Sequence, residues 1–155
     1  MTKWKIKGKI CRNNNLNLYH LSEEYYHNKV FKPRIPKSVS IDYNENNTIA
    51  RICFSTSMSG AFRAIDFDCH SHSWWSRPFY VHKPIDISKA IKNKNVIKPS
   101  TDLVNDADYT NEYWIRENIR LKCIGRACFR YIQGSIFDKR FRTRIKIKWL
   151  EKYEY

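Results

Sequence analysis

The chain reads as a single strand-dominated α+β domain with few short helices, and three observations lead there. Apolar and basic residues alternate with period two in WKIKGKIC near the start and in TRIKIKWL near the end, as half-buried strands do. The runs LNLYHLS, RICF, PFYVHKP, EYWI, RLKCIG and ACFRYIQG are apolar, of strand length, and bounded by polar or turn residues. Only SGAFRAI, Ser59 to Ile65, carries apolar residues at helical spacing. At 155 residues the chain can bury one real core but not two, so residues 1–155 form one domain.

Taken in order, WKIKGKIC puts Lys5, Lys7 and Lys9 on one strand face, and TRIKIKWL sets Arg144, Lys146 and Lys148 opposite Ile145, Ile147 and Trp149. Paired together, these two strands would form a basic plate. Lysine on a strand face also protects sheet edges from aggregation, so the pattern reads either as edge protection or as a binding surface. A turn at Asn13-Asn14-Asn15 precedes the short strand LNLYHLS, and PRIP (Pro33 to Pro36) is a rigid extended connection. The polar segment DYNENN is a surface loop before RICFSTS, whose apolar strand ends abruptly in three hydroxyl residues ahead of the SGAFRAI helix. PFYVHKP is a strand between prolines. From about Ile85 to Thr110 the mixed charge predicts a long loop. EYWI and RLKCIG follow as strands joined by a tight turn at Arg116-Glu117-Asn118, and ACFRYIQG and FRTRIKIKWL close the chain.

Composition narrows the function classes. The formal charge is +14, from 29 Lys and Arg against 15 Asp and Glu, which favours an acidic partner: nucleic acid, a nucleotide, an acidic protein surface or an anionic membrane. Aromatic residues make up 15% of the chain, enough to offset a modest 42% hydrophobic content, so it is folded. Five cysteines form no tight framework. The basic N-terminus has no apolar stretch behind it, and no run is long enough to span a bilayer. A soluble protein of the reducing cytoplasm is expected, without a membrane partner.

Several chemistries find no motif. GxSxG, a Walker loop and a dinucleotide-binding glycine fingerprint are all missing, which argues against serine hydrolases and P-loop enzymes. CHSH (Cys69, His70, His72) lacks the paired spacing of a zinc site, so no metal is expected. Trp74-Trp75, near Arg63 and Arg77, has the composition of a base-stacking surface but belongs to no familiar nucleic-acid module.

What remains is a distributed set. His20 lies in LYHLS, Ser55, Thr56 and Ser57 close RICFSTS, and Glu112 opens EYWI. The hydroxyls stand where a strand meets a helix, and two readings fit them: polar ligands lining a cleft, or caps of the SGAFRAI helix.

In the order and rough spacing of His20, Ser55-Thr56-Ser57 and Glu112, from about Leu16 to Gly125, the chain resembles ADP-ribosyltransferase-like proteins. It is also similar to small bacterial and phage proteins carrying LYHLS and RxCFSTS. The resemblance implies two small packed sheets and NAD, or another nucleotide, as ligand. It implies that His20 holds the ribose and nicotinamide half, and that Ser55 and Thr56, with Ser57 beside them, brace the nicotinamide ribose or the glutamate. Glu112 would accept a hydrogen bond from the ribose 2′-hydroxyl and stabilise the oxocarbenium-like centre, while Tyr80 or Tyr113 stacks on the nicotinamide. His20 stands where members with Ser-Thr-Ser usually have Arg, and Thr110 where protein-modifying members often have Glu or Gln, so an arginine acceptor is not implied. The expected function is NAD-dependent modification of a nucleic acid or protein, with a phage or mobile-element factor acting on host defence as one setting. The alternative is a non-enzymatic basic protein that binds nucleic acid or blocks a host defence complex.

Overall fold

The computed structural model describes residues 8–13, 15–35, 46–65, 78–132 and 142–149. The predicted class holds: two antiparallel sheets with a few short helices. The strands are β1 (Gly8–Ile10), β2 (His20–Ser22), β3 (His27–Phe31), β4 (Ile52–Ser55), β5 (Phe79–Pro84), β6 (Val96–Pro99), β7 (Glu112–Ile115), β8 (Ile119–Ile132) and β9 (Arg142–Trp149). The helices are α1 (Met58–Ile65), α2 (Ile87–Lys92) and α3 (Ala107–Thr110). The first sheet has the order β1-β6-β7-β4; the second runs β2-β5-β8-β3, with β9 also on β8.

Two expectations are corrected, and two connections are defined. The stretch 85–110 is not a loop: it folds as α2, β6 and α3. Most of its charges sit on exposed positions, while Ala90, Ile91, Val96, Ile97, Val104 and Ala107 are buried. The tight turn at 116–118 joins two strands as expected and carries the chain from the first sheet, with β7, to the second, with β8. RLKCIG and the described part of ACFRYIQG, through Ile132, are one strand, the 14-residue β8. Among the described residues the two lysine-rich strands, whose pairing the sequence left open, do not meet. β1 pairs with β6 in one sheet and β9 with β8 in the other, so no plate forms between them.

The length of β8 is put to use by a bulge. Val81 pairs with Gly125 and His82 with Cys123, leaving Ile124 as the extra residue. Successive residues of β5 point to opposite faces, so the bulge makes Cys123 and Gly125 face opposite ways. As a result Ile119 and Leu121 pack on one core with Ile52, Phe54 and Ile115 of the first sheet. Ala127 and Phe129, also odd-numbered, pack on the other face with Leu21, Val81 and the α1 residues Met58, Ala61 and Phe62. Phe62 and Phe129 stack with their rings 4.4 Å apart. A third cluster, Val104, Ala107 and Trp114, lies under α3.

The sheets are joined at the free edge of β4. Tyr19 and Ser55 exchange backbone hydrogen bonds of 2.8 and 2.9 Å, and Arg34 and Arg51 do the same at 3.2 and 3.0 Å. Among the described residues no helix is long and apolar enough to cross a membrane.

Candidate functional site

The seam between β2 and β4 opens on a cavity of about 110 Å³. His20 and Tyr19 line it from the first side, Cys53, Phe54 and Ser55 from β4, Ala61, Ala64 and Ile65 from α1, and Glu112 from β7. Residues that are 92 positions apart, His20 and Glu112, thereby share one wall.

Glu112 is set by strand register. It pairs directly with Ser55, and Trp114 pairs with Cys53, so these four side chains occupy one face of the β4–β7 pair. The Trp114 indole, fully buried, donates to Glu112 Oε1 at 2.6 Å. Arg51 is buried as well; its guanidinium stacks 4.2 Å from the Trp114 ring centre and donates to the carbonyls of Asn46 at 2.7 Å and Ile49 at 3.1 Å. The arginine holds the tryptophan, and the tryptophan holds the carboxylate. Burial pushes the Glu112 carboxyl above its ordinary range, while Trp114, the Cys53 thiol and the Arg51 charge pull it partway back. Burial also drives the Cys53 thiol strongly upward, with the Glu112 charge adding to it, so it is a neutral donor rather than a nucleophile.

His20 is neutral. Burial lowers its pKa against the favourable hydrogen bond to the Cys53 carbonyl, and the Arg34 charge lowers it further. The ring's Nδ1 sits 3.0 Å from that carbonyl. A carbonyl only accepts, so Nδ1 carries the proton and Nε2 keeps its lone pair for a donor. Phe54 and Phe31 flank the ring at 5.7 and 5.9 Å.

The three hydroxyls divide their roles. Ser55 is buried; its Oγ donates to the Thr110 carbonyl at 2.6 Å and accepts the Ser57 N–H at 3.1 Å. It therefore fixes the backbone two residues before Glu112. The Thr56 N–H donates to the Asn111 carbonyl at 3.2 Å, a second tie to the same corner. Ser57 caps α1, its Oγ accepting the Gly60 N–H at 3.0 Å.

Of the residues nominated from sequence, His20, Ser55 and Glu112 come together at the cavity; Thr56 and Ser57 support its floor from outside the lining. Tyr80 does not join them. It pairs with Ser22 and Arg126 on the face of the second sheet turned away from α1, and its ring contacts Tyr25. Tyr113 packs on the first core, on the opposite face of β7 from Glu112. Lys9, Lys146 and Lys148 are exposed, and Arg144 pairs with Arg130 across β8 and β9. Lys5, Lys7, Cys69, His70, His72, Trp74 and Trp75 lie outside the described residues.

Sequence reasoning passed over Cys53, Trp114 and Arg51. Their signal was the same alternation that marks the strands: Arg51, Cys53 and Ser55 at every second position, answered by Glu112 and Trp114. The chain matches no protein-family model, and neither a curated protein nor a solved structure is significantly similar to it.

Proposed function

We propose that the cavity between β2, β4, β7 and α1 binds NAD and cleaves its nicotinamide–ribose bond, transferring ADP-ribose to an acceptor. The observation that supports this reading is the meeting of His20, Ser55 and Glu112, three residues from distant segments, around one cavity. At about 110 Å³ it is smaller than the roughly 300–1,000 Å³ of sites that engulf a whole ligand. It suits one ring at the reacting end of the dinucleotide, with the phosphates outside against a chain of +14 formal charge.

The residues take complementary parts in this reading. His20 Nε2 accepts a hydrogen bond from a ribose hydroxyl. Glu112, oriented in advance by Trp114, lies beside the anomeric carbon. As the C1′–N bond breaks, the bonding pair leaves with the nicotinamide, and the positive charge left on the ribose is stabilised by the fixed carboxylate. Such preorganised electrostatics supply several kcal/mol in enzymes generally. The acceptor's lone pair then forms the new bond at C1′, and its proton passes to solvent. A partly apolar wall of Ala61, Ala64 and Ile65 strengthens the carboxylate's field by excluding water.

Incubation with radiolabelled NAD, alone and with single-stranded nucleic acid or a cell lysate, tests the proposal. Label transfer or nicotinamide release that disappears in Glu112→Gln supports it. A chain that neither binds nor turns over NAD under any of these conditions refutes it.

A further inference from the structure

We infer that the exposed part of the second sheet's face turned away from α1, around Tyr80, Arg126 and Lys148 and beyond the stretch that packs on the first sheet, is a docking surface for single-stranded nucleic acid. The inference is independent of the chemistry at the cavity.

Register builds the face. Ser22, Tyr80, Arg126 and Lys148 stand directly opposite one another across β2, β5, β8 and β9, so they form a row on one side of the sheet. The neighbouring row of Phe79, Ala127 and Ile147 lies on the other side, where Phe79 and Ala127 pack toward α1. One step along the ladder, Lys146 pairs with Cys128, and further on Arg130 pairs with Arg144. The alternation first seen in TRIKIKWL thus finds its basic counterpart in β8.

A run of aromatic rings borders these cations. The Tyr25 ring is 54% exposed, unusual for a large aromatic. It stands edge-on to Tyr80 at 5.5 Å and parallel to His27 at 6.4 Å, with 5° between the planes. The Arg126 guanidinium lies 5.2 Å from the Tyr80 ring centre. Arg126, Lys146 and Lys148 are all exposed on this face, whereas Lys122, on the far side of the bulge, points to the other. The nearest acids in sequence are Glu23 and Glu24, and Glu24 accepts a hydrogen bond from Tyr26.

Exposed rings beside a cationic ladder match the two needs of an unpaired strand, stacking for its bases and counter-charge for its phosphates. A duplex buries its base faces in its own stack and has no use for Tyr25. An acidic protein engages the cations but gains nothing from parallel rings held open to solvent.

Fluorescence anisotropy with labelled oligouridylate and oligothymidylate tests this, with the matching duplex and polyglutamate as competitors and salt varied. Tyr25→Ala is expected to weaken binding about tenfold and Tyr25→Phe to preserve it, since only the ring face is required. Arg126→Gln with Lys148→Gln is expected to lower the salt slope by about 1.4, roughly 0.7 per lost phosphate contact. Lys98→Gln, on the first sheet, is expected to bind as the parent does. Equal affinity for the duplex, displacement by polyglutamate at equal charge, or indifference to Tyr25→Ala would each overturn the inference. Because every substituted side chain lies at the surface, unchanged thermal melting separates lost binding from lost folding.

Discussion

At the scale of single residues, two buried groups carry the account: Glu112 and His82. Glu112 keeps its place through the Trp114 indole, and a glutamine there offers the same acceptor without the charge. Glu112→Gln is therefore expected to alter stability by less than about 1 kcal/mol while cutting nicotinamide release at least about a hundredfold. Urea unfolding and a release assay on the same preparation separate the two effects. His82 is fully buried and opposite His20, its Nε2 accepting the Tyr26 N–H at 3.1 Å. Burial brings its pKa down to about 4, with His20 contributing and the His20 backbone opposing. Since the unfolded chain binds this proton near pH 6.5 and the folded chain only near 4, stability is full above 6.5 and falls with pH through that window. The loss at His82 amounts to at most about 3 kcal/mol. His20 acts in the same direction, whereas Glu112, raised rather than lowered, offsets part of the loss at the acid end. Urea midpoints between about pH 7 and pH 5 should show the decline, and a shallower slope in His82→Gln.

At the scale of elements, the corner where α1 meets the start of β7 sets the site. A Cβ on Gly60 would stand 2.1 Å from the Thr110 carbonyl and 2.4 Å from Ser55 Oγ, so only glycine lets the helix approach. Gly60→Ala is expected to cost about 2–4 kcal/mol by pushing α1 off this corner, and to weaken turnover with it, both visible in melting and activity assays. Asn111 reverses the chain into β7 with φ of 51°, a left-handed position asparagine tolerates. Asn111→Gly should be near neutral, and Asn111→Val should destabilise by about 1–2 kcal/mol in the same melts. The β4 strand, α1 and β7 were legible because their apolar patterns are strong and their ends are marked by hydroxyls or an acid. The elements of 85–110 were not, since α2 and α3 span only 6 and 4 residues, too few for a periodic pattern to stand out from their charges. β3 escaped for a related reason: HNKVF is exposed along most of its length and owes its strand to pairing with β8.

At the scale of the whole molecule, topology decides which patterned strands meet. Both lysine-rich strands were readable as strands, yet their pairing rests on long-range contacts that local alternation does not encode. The same holds for the site: His20, Ser55 and Glu112 were nominated by order and residue type, whereas their shared cavity depends on the Tyr19–Ser55 bridge and the β4–β7 register. The result is a molecule with two separate candidate surfaces, a small cavity at the seam of the sheets and a cationic, ring-bordered face on the second. The central claim, that the seam cavity receives NAD, is tested most directly by NMR of histidine-labelled protein titrated with NAD. The account predicts that the His20 ring signals move saturably, with Nε2 changing from a free lone pair to a hydrogen-bond acceptor, while exposed His27 stays in place. A His20 ring unaffected by saturating NAD would contradict it.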